Sequence, residues 1–156
     1  MDKMPLINLV LQSFPESVLL LLFGTSLFKR QPDRFRLLAG AIISALCAYL
    51  IRRLPFPYGV HSLIGVVVLT LIFKFLLAMS FYQSMVASLT TLATLGAIEI
   101  LLLPLETSSL GLERFSEAWP RPSLRIFMAV PELAILALIT YRIYRNNICG
   151  HEHRGD

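Results

Sequence analysis
Apolar residues along this chain gather into five runs, near 5–28, 35–53, 61–80, 82–104 and 123–144, divided by short clusters of charge, proline and glycine. A helix crossing a hydrocarbon core takes roughly 20 residues, and the runs are near or above that length. The pattern predicts an all-α fold, a polytopic membrane helix bundle with about five transmembrane helices. One domain over 1–145 is followed by a short polar tail at 146–156.

The first run is the least regular. "SFPE" at Ser13–Glu16 fits a capping box, and Pro15 suits a first helical turn. A helix beginning there and ending at Phe28 is only about 22 Å long, against a core of roughly 30 Å. Either "MPLINLVLQ" lies along the interface, or one longer helix is kinked at Pro15; the kink is the preferred reading. The second run carries Gly40, Ser44 and Ala48 at four-residue spacing, with Ala41 and Ala45 alongside. The fourth presents Ser84, Ala87, Ser88, Thr91 and Thr94 on one face. Small residues let helices approach closely in lipid, so these two faces are expected to form the bundle interior and to hold the fold together.

The connections differ in kind. In "RRLPFPYGVHS", Pro55 and Pro57 stop a helix and Gly59 allows a turn. The link at "MSFYQ" is so short that the third and fourth helices must be antiparallel neighbours. "LETSSLGLERFSEAWPRPS" reads as an exposed loop with Trp119 suited to an interface.

Composition agrees with the pattern: 56% of residues are hydrophobic, only 15% are charged, and the mean hydropathy is +0.69. Soluble domains carry about a quarter charged residues. The net charge of +4 does not indicate nucleic acid, because the basic residues sit at the ends of the apolar runs, where they mark membrane edges. Cys47 and Cys149 form no spaced disulfide framework. "MDKMPLINLV" lacks the features of a cleavable signal, so the first span is expected to be retained. Lys29, Arg30, Arg34 and Arg36, with Arg142, Arg145 and Arg154, place the N-terminus outside and the C-terminus in the cytoplasm. Arg52, Arg53, Arg114, Arg121 and Arg125 on the other side reduce that bias.

Lys74 stands inside the third run, where an ionisable residue is a functional candidate by default. Antiparallel neighbours hold it about 16 Å from Glu99 in axial height, so its stem is expected to run to the nearer face and leave the ammonium among head groups. Glu99 instead approaches the face where Arg52 and Arg53 end the second helix, and an Arg–carboxylate clasp is expected there. Two Pro-Glu pairs complete the set of ligand-binding candidates. "FPESVLLLLFG" and "VPELAILALIT" each place Pro-Glu before an apolar run, and Pro131 frees the carbonyl of Phe127. Glu16 and Glu132 therefore either line a polar cavity beside broken helices, or are protonated or paired groups next to helix bends.

No catalytic signature is present: there is no nucleophile motif, P-loop, zinc helix or aqueous carboxylate pair. Cys47, placed mid-helix among apolar residues, is expected to be inert despite His61. Cys149, His151 and His153 in the tail make no closed metal site, so no metal or cofactor is expected.

The order "QSFPESVLLLLFGTSLF", a basic loop, "YLIRRLPFPYGVHSL" and a helix pair ending "IEILLLPL" resembles the N-terminal membrane region of sensor histidine kinases of Gram-positive bacteria, of the AgrC-like and sporulation types. The resemblance covers roughly residues 12–105. It stops short of any kinase domain, since only about a dozen residues follow Tyr144, so it implies a sensing or coupling role without kinase activity. The expected function is a non-catalytic, sensor-like signalling module that works by helix contacts with a membrane or cytoplasmic partner, or with a second copy of itself. A small membrane subunit that binds or transports a solute is the alternative.

Overall fold
The computed structural model describes residues 12–53, 60–109 and 122–148, and every regular element among them is helical. Helix α1 covers Phe14–Leu27, α2 Arg34–Arg53, α3 Val60–Leu71 with a π-helical continuation over Ile72–Leu76, α4 Phe81–Ser109 and α5 Pro122–Ile148. Five helices thus stand where five apolar runs were read. Spanning length is another matter: only Arg34–Ile51 and Phe81–Leu105 are long and apolar enough to cross a membrane among the described residues. Phe14–Leu27 and Val60–Leu76 are apolar but shorter.

Helix α1 is the axis of the bundle. It packs most extensively on α5 and α2, then on α4, and it reaches α3 through a shared core of Leu21, Leu69, Ile72 and Phe73. None of the exposed large hydrophobic side chains belongs to α1, whereas α2, α3, α4 and α5 each carry several. A helix apolar on all sides is one that must be buried on all sides, which explains why so short a segment holds the centre.

Two glycines set how closely the neighbours approach. A Cβ at Gly24 would fall within 2.8 Å of Phe73 Cε1, so the fully buried Phe73 ring lies directly on the α1 backbone. At Gly40 a Cβ would meet Ile72 Cγ2 at 3.0 Å and Leu21 Cδ1 at 3.1 Å, which ties α1, α2 and α3 at one level. The small faces lie inward: Gly40, Ala41, Ser44 and Ala45 are buried and Ala48 is half-buried, while Ser84, Ala87, Ser88 and Thr91 are fully buried. The hydroxyls of Thr70 on α3 and Ser88 on α4 lie 2.7 Å apart, one donating to the other. Most of the other buried hydroxyls return to their own helix, as Thr25 does to the Leu21 carbonyl, Ser84 to Ser80, Thr91 to Ala87 and Thr140 to Leu136. These polar seams therefore satisfy themselves and act as packing surfaces.

Helix ends show where local chemistry was misread. Ser13 has helical dihedrals (φ −68°, ψ −32°) and no capping hydrogen bond, so the expected capping box at Ser13–Glu16 does not form. Residues 12–13 are π-helical and run directly into α1, so the helix passes through Pro15. That arrangement is the one a kinked helix requires; residues 5–11 lie outside the described residues. The reciprocal box occurs at α4 instead: Gln83 N–H donates to Ser80 Oγ at 3.3 Å, and Ser80 N–H donates to Gln83 Oε1 at 3.4 Å. Helix α4 also continues through Pro104 to Ser109, beyond its expected end, and α5 extends to Ile148.

The turns after α1 and α3 lie together. Arg30 donates from Nη1 to the Ala78 carbonyl at 3.0 Å, and both Lys29 (φ 55°) and Ala78 (φ 51°) adopt the left-handed conformation. At Lys29 this closes α1, with Arg30 N–H donating to the Thr25 carbonyl at 3.1 Å and Lys29 N–H to that of Ser26 at 3.2 Å. A β-branched side chain is poorly tolerated at such a φ. Ala78→Val is therefore expected to cost about 1–2 kcal/mol, and Ala78→Gly to leave stability unchanged or raised. Thermal unfolding in detergent checks this; a loss with glycine and none with valine would contradict the geometry.

Candidate functional site
Helix direction decides which candidate residues can meet. Asn147, near the end of α5, donates from Nδ2 to the carbonyl of Ser26, near the end of α1, at 3.0 Å. The two helices therefore run parallel. Further toward their starts, Leu20 of α1, Leu136 of α5 and Ile98 of α4 share one buried cluster. Glu16 lies four residues before Leu20, and Glu132 four before Leu136. One helical turn keeps a side chain on roughly the same face, so each carboxylate lies one turn from a residue of that shared cluster. Both are half-buried and both make polar interactions.

The same end of the bundle collects further polar groups. Counting from the Leu21–Gly40–Ile72 level, Ser13 lies eight residues down α1, Tyr49 nine residues along α2 and His61 eleven residues back on α3, which places all three within about 5 Å in axial height. Ser13 is buried with its Oγ lacking a hydrogen-bond partner, as is the buried Oε1 of Gln12. Tyr49 is buried, His61 is half-buried, and both interact with neighbouring groups. A buried oxygen with no partner is costly. The combined chemistry of this polar layer, two carboxylates with amide and hydroxyl oxygens, suits a ligand that donates hydrogen bonds or carries positive charge.

The remaining candidates lie elsewhere. Glu99 is exposed on α4, and the side chains of Arg52 and Arg53 lie outside those described, as does the expected clasp between them. Lys74 is exposed in the π-helical turn, with Nζ 5.2 Å from the ring centroids of both Phe75 and Phe81. The Thr70–Ser88 contact fixes the α3–α4 register and puts Lys74 roughly 20 Å from Glu99 in axial height. The ammonium therefore rests at the turn beside α4, on aromatic faces. Cys47 is a half-buried free thiol. Among the described residues no group of three or more His, Cys, Asp or Glu is placed to hold a metal ion, and Cys149, His151 and His153 lie outside them.

No protein-family model, no curated protein and no solved structure matches the chain. What it can do follows from its own geometry.

A groove of about 620 Å³ opens between α4 and α5, lined chiefly by Thr90, Ala93, Thr94, Ala97 and Ile139. It faces outward and includes none of the polar candidates. The small faces of α2 and α4 are packed against neighbouring helices. The candidate site that the described residues bring together lies at the α1–α5 end. It also gains Gln12, Ser13, Tyr49 and His61, whose only signal in the sequence is that they are polar residues near run ends.

Proposed function
We propose that this protein is an integral membrane bundle of five spans without catalytic activity, in which a polar layer at the outer end senses a ligand and the α1–α5 pair carries the response to the cytoplasmic end. The observation that supports it best is the parallel α1–α5 interface. It joins Glu16 and Glu132 at one end to Ser26 and Asn147 at the other, with Pro15 and Pro131 beside the two carboxylates. A proline inside a helix removes one backbone hydrogen bond and eases bending there. A ligand that draws the two carboxylates together would tilt α5 against the central helix, and the residues beyond Ile148 would report the change to a partner.

Five spans are favoured by what the helices leave outside. Phe35, Leu38, Ile42, Leu46 and Leu50 form an exposed stripe on α2, and Phe127, Val130, Leu138 and Tyr141 do so on α5. Stripes this long would be a liability in water and are the ordinary outer surface of a bundle in lipid. With the cationic end cytoplasmic, the end bearing Ser13 faces outward.

The test replaces Glu16 and Glu132 together by Ala in the full chain. The expected result is a folded, membrane-inserted protein that reproduces the deletion phenotype and no longer crosslinks to its signalling partner in native membranes. Unchanged stability together with wild-type behaviour in every deletion phenotype would end the sensing role of this pair. The unpartnered oxygens of Gln12 and Ser13 favour a second reading, a solute-binding subunit. Saturable uptake of a cationic solute into proteoliposomes, lost in the same double variant, would select it.

A further inference from the structure
Helix polarity gathers at one end of the bundle the turn after α1, the start of α2, the turn after α3, the start of α4 and the end of α5. Among the described residues this end carries Lys29, Arg30, Arg34, Arg36, Lys74, Arg142 and Arg145 against a single carboxylate, Asp33. By position along their helices, Glu16, Glu99 and Glu132 fall at the opposite end among the described residues. All seven cationic side chains are exposed. Counted along their helices from the Gly40–Leu21–Ile72 level and from the Ser26–Asn147 contact, they occupy a slab about 12 Å deep.

Aromatic side chains occupy the same slab and face outward. Phe35, Phe75, Phe81, Tyr82, Tyr141 and Tyr144 come from α2, the π-helical turn, α4 and α5, and all are exposed, Phe35 at 79% and Tyr82 at 74%. A ring of aromatic residues at the height of a cationic ring is the arrangement found where a bundle crosses from hydrocarbon to head groups. The fold also holds some of the cations in place: Arg30 is fixed to the Ala78 carbonyl, and Lys74 rests on Phe75 and Phe81.

We propose that this end is a docking surface for anionic phospholipids, with the cationic side chains engaging head-group phosphates and the aromatic belt lying at the glycerol level. The inference rests on the membrane-bundle reading and adds a lipid partner to it. Basic groups near an anionic surface each favour association by about five-fold, and the effect fades with ionic strength.

The test reconstitutes the full chain into bilayers of phosphatidylcholine and phosphatidylglycerol and measures the association of spin-labelled forms of each lipid. The expected result is a several-fold preference for phosphatidylglycerol that declines as salt is raised. It should be largely lost when Arg34, Arg36, Arg142 and Arg145 are all replaced by Gln, and kept when Arg52 and Arg53 are. Incorporation with no preference in the unsubstituted protein, or equal loss in both variants, would overturn the docking surface and leave the bundle reading standing. Recovery of the chain as a folded, lipid-free soluble protein would overturn both.

Discussion
Gly24→Ala is expected to destabilise the bundle by about 2 kcal/mol, despite replacing glycine with a better helix former. Alanine in a helix gains roughly 0.5–1 kcal/mol over glycine. Against that gain stands the Phe73 ring, two of whose atoms would lie 2.8 and 3.2 Å from the new Cβ. Overpacking of this kind costs about 1–3 kcal/mol, and toward the upper figure where the neighbour cannot retreat. Phe73 is fully buried, and its backbone is held by the turn in which Leu77 N–H donates to the Ile72 carbonyl and Met79 N–H to the Phe73 carbonyl. Phe73→Leu in the same molecule is expected to restore part of the loss. Reversible unfolding of the single and double variants in mixed micelles measures the coupling. Additive effects would show that ring and glycine do not touch.

Ser88→Leu should be more damaging still, by 3 kcal/mol or roughly more. Ser88 is fully buried between α4 and α3, with Ser84, Ala87 and Thr91 equally buried on the same face. A leucine there needs α3 and α4 to separate, and it also removes the hydroxyl paired with Thr70. Ser88→Ala distinguishes the two contributions, because it removes only the hydrogen bond. Interhelical hydrogen bonds of this type average about 0.6 kcal/mol in lipid. The expected order is therefore a small loss for alanine and a large one for leucine. Comparable losses from both would mean that polar pairing, and not close approach, holds these helices together.

Much of this arrangement was legible in the residues. Helix positions followed from the length of the apolar runs, and the inward faces of α2 and α4 from small residues at helical spacing, because only small side chains let two backbones approach. The rejection of a Lys74–Glu99 pair needed only the helical rise and a short link. Local polar chemistry was less legible. "SFPE" and "SFYQ" both offer a serine followed three residues later by a reciprocating side chain, yet only Ser80–Gln83 caps a helix. Ser13 is already inside a turn that its sequence neighbours do not announce.

The amino-acid sequence by itself determined the number of helices, their approximate limits and the surfaces small enough for close packing, since all three depend on residues near one another in the chain. Tertiary structure alone decided that the short helix α1 is the central one, that Glu16 and Glu132 fall toward the same end of the bundle, and that seven cations meet at the other. The reason is physical: lipid tails are as apolar as leucine, so an apolar residue carries no mark of whether it will face lipid or protein. Which helix is enclosed, and which polar groups share a level, depends on contacts between segments more than a hundred residues apart, such as that of Ser26 with Asn147.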